Sequence, residues 1–146
     1  MFGIRDDLWA AYCLYGGLNI LKMIIMSPLT GRIRIKKKIF ANAEDAKSFD
    51  GKITMSDPDV ERVRRAHLND IENVIPFLLI APMYLSTEPC SVLAVNAFRI
   101  FTFGRYMYTI TYLHEMQPWR AMVFTLNILC NLFLVGSTII HYSGAF

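Results

Sequence analysis

The sequence is poor in the residues that build several common kinds of protein. Its three cysteines, Cys13, Cys90 and Cys130, are odd in number and stand at unrelated spacings, so neither a zinc site nor a closed disulfide framework is indicated; they read as buried, inert thiols. Three histidines without a paired-His motif leave no metal-ligand set. There is also no glycine-rich phosphate loop after a strand, and no Ser-His-Asp set that can be placed together. Charged residues make up only 18% of the chain, well under the usual ~25%. No repeat of fixed period and no low-complexity tract occurs.

What is abundant is apolar surface. Hydrophobic residues account for 54% of the 146 positions, with ten Phe, eight Met and seven Tyr, and the mean hydropathy is positive. That excludes disorder, because such a chain must hide its side chains, and it disfavours an ordinary soluble module, where ~45–50% is typical. The length allows one domain.

A helix crossing ~30 Å of hydrocarbon needs ~20 mostly apolar residues. Four stretches qualify: 8–29, 68–85, 91–113 and 119–141. They predict an all-α membrane protein built as a four-transmembrane-helix bundle, with one polar connection at 30–67. Asp6 and Asp7 precede the first stretch and no small-residue cleavage site follows it, so it reads as a retained anchor and not a cleaved signal. Arg32, Arg34, Lys36, Lys37 and Lys38 then form a dense basic run. Lys and Arg beside spans are held on the cytoplasmic side, which places 30–67 in the cytosol and the N-terminus on the lumenal or outer side. The 87–91 turn, expected on that same outer side, carries no Lys or Arg. A nucleic-acid reading of the basic run lacks the interleaved aromatics and the motif that would support it.

Charge at depth is the informative feature, since an ionised side chain in hydrocarbon must find a partner. Lys22, Asp70, Glu72, Arg99, Arg105 and Arg120 all fall in or at the ends of spans. The segment from Glu61 to Asn73 runs into the apolar Val74–Leu85 without a turn residue, which predicts one continuous helix, and Ser56-Asp57-Pro58-Asp59 reads as its N-cap region. On that helix Arg65, Asn69 and Glu72 are separated by four and then three residues, so a cation, an amide and a carboxylate share one face. Such a row suits a zwitterionic ligand, and the alternative is an ion-pair network that satisfies itself at a helix entrance. Pro76 removes the hydrogen bond that the Glu72 carbonyl would otherwise receive. Arg105, Tyr108 and Tyr112 share a face of the third span; the two tyrosines alone would read as an interfacial belt, but with Arg105 they read as a polar pocket. Arg120 lies in the first turn of the last helix, where the dipole end is positive, and it calls for an anion.

A cationic pocket at the membrane face without a protein nucleophile implies that the nucleophile arrives on the ligand. A thiol fits this role, because fixed positive charge favours the reactive thiolate.

The run Val60-Glu61-Arg62-Val63-Arg64-Arg65-Ala66-His67-Leu68-Asn69-Asp70-Ile71-Glu72-Asn73-Val74-Ile75-Pro76-Phe77-Leu78 resembles the signature of the membrane-associated proteins in eicosanoid and glutathione metabolism (MAPEG). The segment from Lys38 to Asp45 and the one from Gly104 to Tyr112 are similar to the same family. The resemblance implies a homotrimer of four-helix subunits in the endoplasmic reticulum, or in the outer mitochondrial membrane, with glutathione bound between subunits near the cytosolic face. It implies a site of Arg34 on the first helix, Arg64, Arg65, His67, Asn69 and Glu72 on the second, Arg105, Tyr108 and Tyr112 on the third, and Arg120 and Thr125 on the fourth. Arg120 would hold the thiolate, and Asp45 matches a carboxylate that partners this arginine in the prostaglandin-forming members. A hydrophobic or lipid second substrate would arrive from the bilayer.

The implied activity is a glutathione transferase and peroxidase, with glutathione-dependent isomerisation of prostaglandin H2 to E2 as the alternative and a non-catalytic lipid-binding scaffold as a third role. Ala121 stands where the prostaglandin-forming members carry serine, as in the transferases. Ala46 replaces the cysteine by which the transferases sense electrophiles, and Tyr108 stands where both branches usually have histidine.

Overall fold

The computed structural model describes residues 5–144. In chain order it contains α1 (Asp6–Lys37), β1 (Ile39–Phe40), α2 (Ala43–Ser48), β2 (Lys52–Ile53), α3 (Pro58–Leu85), α4 (Ser91–Leu113) and α5 (Trp119–Ser143). The long helices α1, α3, α4 and α5 form the bundle. α3 and α4 make up its middle, since each packs against the other and against both α1 and α5.

The expected helices at 91–113 and from 119 onward are present, and α3 is the continuous helix anticipated from Glu61 into the apolar stretch. Its start is fixed by Asp57, whose Oδ1 accepts from the backbone N–H groups of Asp59 and Val60 at 3.1 Å each, with Pro58 in the first turn.

The polar connection is shorter than 30–67. α1 runs on to Lys37, so the basic run is largely its last turns, where Arg34, Lys36 and Lys37 complement the negative end of the helix dipole. α3 begins at Pro58, which leaves 38–57 as the true connection. Lys38 adopts a left-handed conformation (φ 55°) and caps α1 through its N–H to the carbonyls of Arg34 and Ile35. Within the connection β1 and β2 pair in parallel, Ile39 with Lys52 and Phe40 with Ile53, an element the sequence did not suggest. Gly51 is required here, because a Cβ would lie 2.6 Å from the Lys38 carbonyl oxygen and 2.7 Å from the Phe40 ring.

The bundle is apolar outside and carries a polar layer within its interior. Asn19, Lys22, Asp70, Asn73, Thr102, Arg105 and Asn127 are buried, whereas Ile24, Ile25, Leu79, Phe103, Leu129 and Ile140 are exposed. Water would oppose that pattern and hydrocarbon favours it. By length and composition α1 and α5 are each apolar enough to cross a membrane; α3 and α4 carry more polar residues along their lengths.

The interior is layered. Towards the 86–90 turn lies an apolar core centred on Phe77, which stacks on Phe101 (ring centroids 4.1 Å) and meets Phe98 edge-on (5.5 Å). Above it sits the polar layer, and above that a small apolar cluster of Met26, Val63 and Ala66. Of the cysteines only Cys130 is buried; Cys13 and Cys90 are exposed, which corrects the expectation that all three are internal.

Candidate functional site

The site begins with the N-terminal half of α3, which is clasped to the end of α1. Lys37 donates to Asp57 at 3.0 Å and also pairs with Asp59. The Asp57 carboxyl is held below its ordinary range, first by the Val60 N–H it accepts and then by Lys37, while Lys37 is raised by its two carboxylate partners.

Beyond the clasp, α3 presents Arg64, Arg65, His67, Leu68 and Ile71, with Glu61, around an open hollow of about 360 Å³. Arg65 and Glu72 are exposed and Asn69 is half-buried, which agrees with the shared face read from their spacing. Arg64 is engaged within its own helix, donating to Glu61 at 3.1 Å.

From this hollow a row of side chains leads across α4 to α5. Arg65 Nε donates to the Tyr112 hydroxyl at 3.2 Å. The Arg120 guanidinium lies over the Tyr112 ring, 5.0 Å from its centroid. With the Gln117 amide turned so that its oxygen faces Arg120, it accepts from Arg120 Nη2 and Nε at 2.5 and 3.0 Å. Tyr112 is thus fixed at both ends by cations, and no carboxylate among the described residues lies within 4.0 Å of Arg120. None of the described residues supplies the anion that Arg120 calls for.

Tyr108 continues the row inward, 5.6 Å from Tyr112 and with the Arg105 guanidinium 4.8 Å from its ring centroid. Here the sequence reading is corrected. Arg105 does not face an open pocket: its side chain is fully buried, paired with Asp70, and donates to Asn69 Oδ1 at 3.0 Å. Tyr108 is buried as well. Lys22 completes the cluster with Nζ 2.5 Å from Asp70 Oδ1, so it turns inward and does not snorkel to the interface. The physical reason is the cost of a bare ion at this depth, which drives both cations onto the one available carboxylate. Asp70 itself was missed as a site organiser. The usable signal was its place on the buried stripe of α3, with Val63, Ala66, Asn73, Val74 and Phe77: an acid in an apolar stripe implies a buried cation partner.

The remaining expected residues are scattered. Arg34 is half-buried near the end of α1, and its Nη1 is buried without a hydrogen-bond partner. His67 is half-buried beside the hollow. Thr125 is exposed on α5. Asp45 lies exposed on α2, with Asn42 Nδ2 3.4 Å away, and no ion pair joins it to Arg120 within the chain. Glu115, in the 114–118 turn, pairs with Arg62 at 2.9 Å.

Comparison with known proteins agrees with this architecture. The profile of the MAPEG family matches residues 12–140. The chain is 42% identical over 125 residues to microsomal glutathione S-transferase 1 of Homo sapiens, covering 82% of this chain and 81% of that one. It is 39% identical over 125 residues to prostaglandin E synthase of Bos taurus (84% and 82% covered) and 40% identical over 118 residues to prostaglandin E synthase of Homo sapiens (80% and 78%). Its four-helix bundle, apolar exterior and cationic α3–α5 rim are those of an integral membrane protein, and the chain belongs to the MAPEG family.

Proposed function

We propose that the protein is a glutathione-dependent membrane enzyme that acts as a glutathione transferase and peroxidase on hydrophobic electrophiles and lipid hydroperoxides. The observation that carries this reading is Arg120, held against Tyr112 with no carboxylate of its own, beside a face whose charges complement the tripeptide. Glutathione offers two carboxylates for Arg34, Arg64 and Arg65, an ammonium for Glu72, and peptide groups for Asn69, His67 and Thr125. Its thiol meets Arg120, gives up its proton to water and stays as the thiolate. Lowering a thiol pKa by one unit takes ~1.4 kcal/mol of differential stabilisation, within reach of one poorly solvated guanidinium. The thiolate then forms a C–S bond and expels the leaving group, or attacks a peroxide oxygen and breaks the O–O bond, releasing an alkoxide that takes a proton from water and leaving glutathione sulfenic acid, which a second glutathione converts to the disulfide and water. Arg105 and Tyr108 act in this scheme from behind, by holding Asn69 and Tyr112.

The reading includes a homotrimer in the endoplasmic reticulum membrane, with the 38–57 connection cytosolic, the N-terminus lumenal, and Asp45 supplied to Arg120 by a neighbouring subunit. Ala121 beside Arg120 favours transfer over the prostaglandin reaction. Similar identity to both kinds of relative keeps that second reading in view: conversion of prostaglandin H2 to E2, in which glutathione is regenerated.

The test gives purified protein and glutathione an aryl halide, a lipid hydroperoxide and the prostaglandin endoperoxide in parallel. Conjugation and peroxide reduction without isomerisation are expected. Isomerisation alone would replace transfer by the second reading, and absence of glutathione binding by calorimetry would leave a lipid-binding scaffold.

A further inference from the structure

The buried cluster behind the proposed site is not electrically neutral. Lys22 from α1 and Arg105 from α4 share one carboxylate, Asp70 of α3, and both bind the same oxygen, Oδ1. Asn69 on α3 and the rings of Tyr106 and Tyr108 on α4 touch the cluster, and among the described residues no second acid pairs with Lys22 or Arg105. With both cations protonated the cluster therefore carries one net positive charge. Arg105 Nε and Nη1 have no hydrogen-bond partner although they are buried, which leaves one edge of the guanidinium uncompensated. The rings of Tyr108 and Tyr112 lead in sequence from Arg105 to Arg120 at the rim. Aromatic rings screen a field far less than water does.

We propose that the Lys22–Asp70–Arg105 cluster is a buried source of positive potential that favours the thiolate form of glutathione at Arg120, with Lys22 and Asp70 as positioning residues that set its charge without touching the ligand. The inference rests on the glutathione reading above. The path from Arg105 to Arg120 runs through steps of 4.8, 5.6 and 5.0 Å, and a unit charge ~15 Å from a thiolate, at an effective dielectric near ~20, moves the midpoint of thiolate formation by a little under ~1 pH unit.

The charge count makes a signed test. In the full-length protein in detergent, the ultraviolet absorbance of the thiolate is followed against pH with saturating glutathione, and S-methylglutathione binding is measured by calorimetry as a readout that no thiol ionisation enters. Lys22→Met leaves the Asp70–Arg105 pair and a neutral cluster; the midpoint should rise by about one unit, roughly a tenfold loss of thiolate below it. Lys22→Arg keeps the charge and should leave the midpoint in place. Equal midpoints in Lys22→Met and Lys22→Arg, whether moved or not, would overturn the proposal, since only the first variant removes the charge. Should Lys22→Met fail to fold, Lys22→Gln against Lys22→Arg decides in the same way: equal midpoints refute the proposal, and a rise in Lys22→Gln alone supports it. Wild-type protein that binds no S-methylglutathione would instead refute the glutathione reading itself.

Discussion

Gly104 on α4 is one residue before Arg105, and it is where α5 comes closest to the polar layer. A Cβ built there lies 2.8 Å from both Nδ2 and Oδ1 of Asn127 and 3.0 Å from its Cγ. Relaxed contacts of this kind sit near ~3.5 Å, so Gly104→Ala requires the Asn127 amide to retreat by about 0.7 Å. It has little room. Asn127 is fully buried, and its Nδ2 is held by the Val123 carbonyl at 2.9 Å. Overpacking of a filled interior costs ~1–3 kcal/mol. Against this, alanine is better than glycine inside a helix by about 1 kcal/mol.

The net expectation is a loss of up to about 2 kcal/mol, with ~1 kcal/mol as its middle value. Unfolding of the detergent-solubilised protein by heat or by a denaturing surfactant is the assay, with Gly104→Ala, Asn127→Ala and the double variant side by side. Asn127→Ala alone gives up one hydrogen bond, worth ~1 kcal/mol, and also deletes Oδ1, which has no partner. In that background the new methyl has space, so the double variant should match Asn127→Ala or exceed it, with a coupling of about 1–2 kcal/mol in the cycle. Gly104→Ala at or above wild-type stability would refute the steric reading, and so would an equal loss in the Asn127→Ala background.

Three further outcomes are expected. Arg120→Ala should abolish the thiolate absorbance while glutathione affinity stays within roughly tenfold, ~1.4 kcal/mol; unchanged absorbance would remove Arg120 from the chemistry. Tyr112→Phe keeps the ring under Arg120 but takes the acceptor from Arg65 Nε, so KM for glutathione should rise about three- to tenfold, ~1 kcal/mol, with kcat little changed; equal loss in both would show that the hydroxyl acts on the reacting atoms. The clasp of α1 to α3 should respond to pH with a defined sign. The depressed carboxyl of Asp57 contributes stability above its ordinary value of 3.8, lost as pH falls through the lower folded value, and raised Lys37 contributes below 10.5, lost as pH climbs through its higher folded value. Limited proteolysis within 38–57 should therefore be slow at neutral pH and accelerate at the acid end, and Lys37→Met should flatten that profile; an unchanged profile would remove the clasp as its cause.

The legible parts of the molecule are those set by local periodicity. Asp57-Pro58 announces the start of α3 because an N-cap and a first-turn proline act over a few residues, and the face shared by Arg65, Asn69 and Glu72 follows from helix geometry alone. Pairings across the bundle are not local. Lys22 and Asp70 stand 48 residues apart in sequence, and nothing in the spacing of either states that the two meet. The same limit explains Arg105, whose position on its helix gave the face it shares with Tyr108 and Tyr112 but not that α3 would offer a buried carboxylate there. The β1–β2 ladder escaped because two-residue strands carry no alternation, and its one strong mark, Gly51, has meaning only once Lys38 and Phe40 are seen beside it.

Glu72 shows how the inside-out pattern bears on the unfinished half of the site. It lies two residues beyond Asp70 but on the outer surface of α3, followed on that surface by exposed Ile75 and Leu79. An ionised carboxylate facing lipid at the depth of the buried cluster would cost several kcal/mol, and among the described residues no cation lies within 4.0 Å of it. Asp70 meets that cost by recruiting Lys22 and Arg105 from its own chain; Glu72 has turned away from both. In a membrane it requires a partner, and none of the described residues supplies one. An ammonium group held in a polar interface meets this requirement, and so does the polar face of another subunit. The trimer we propose would provide both at once, by closing a second wall over Arg65, Asn69 and Glu72 while the ligand's own charges answer theirs.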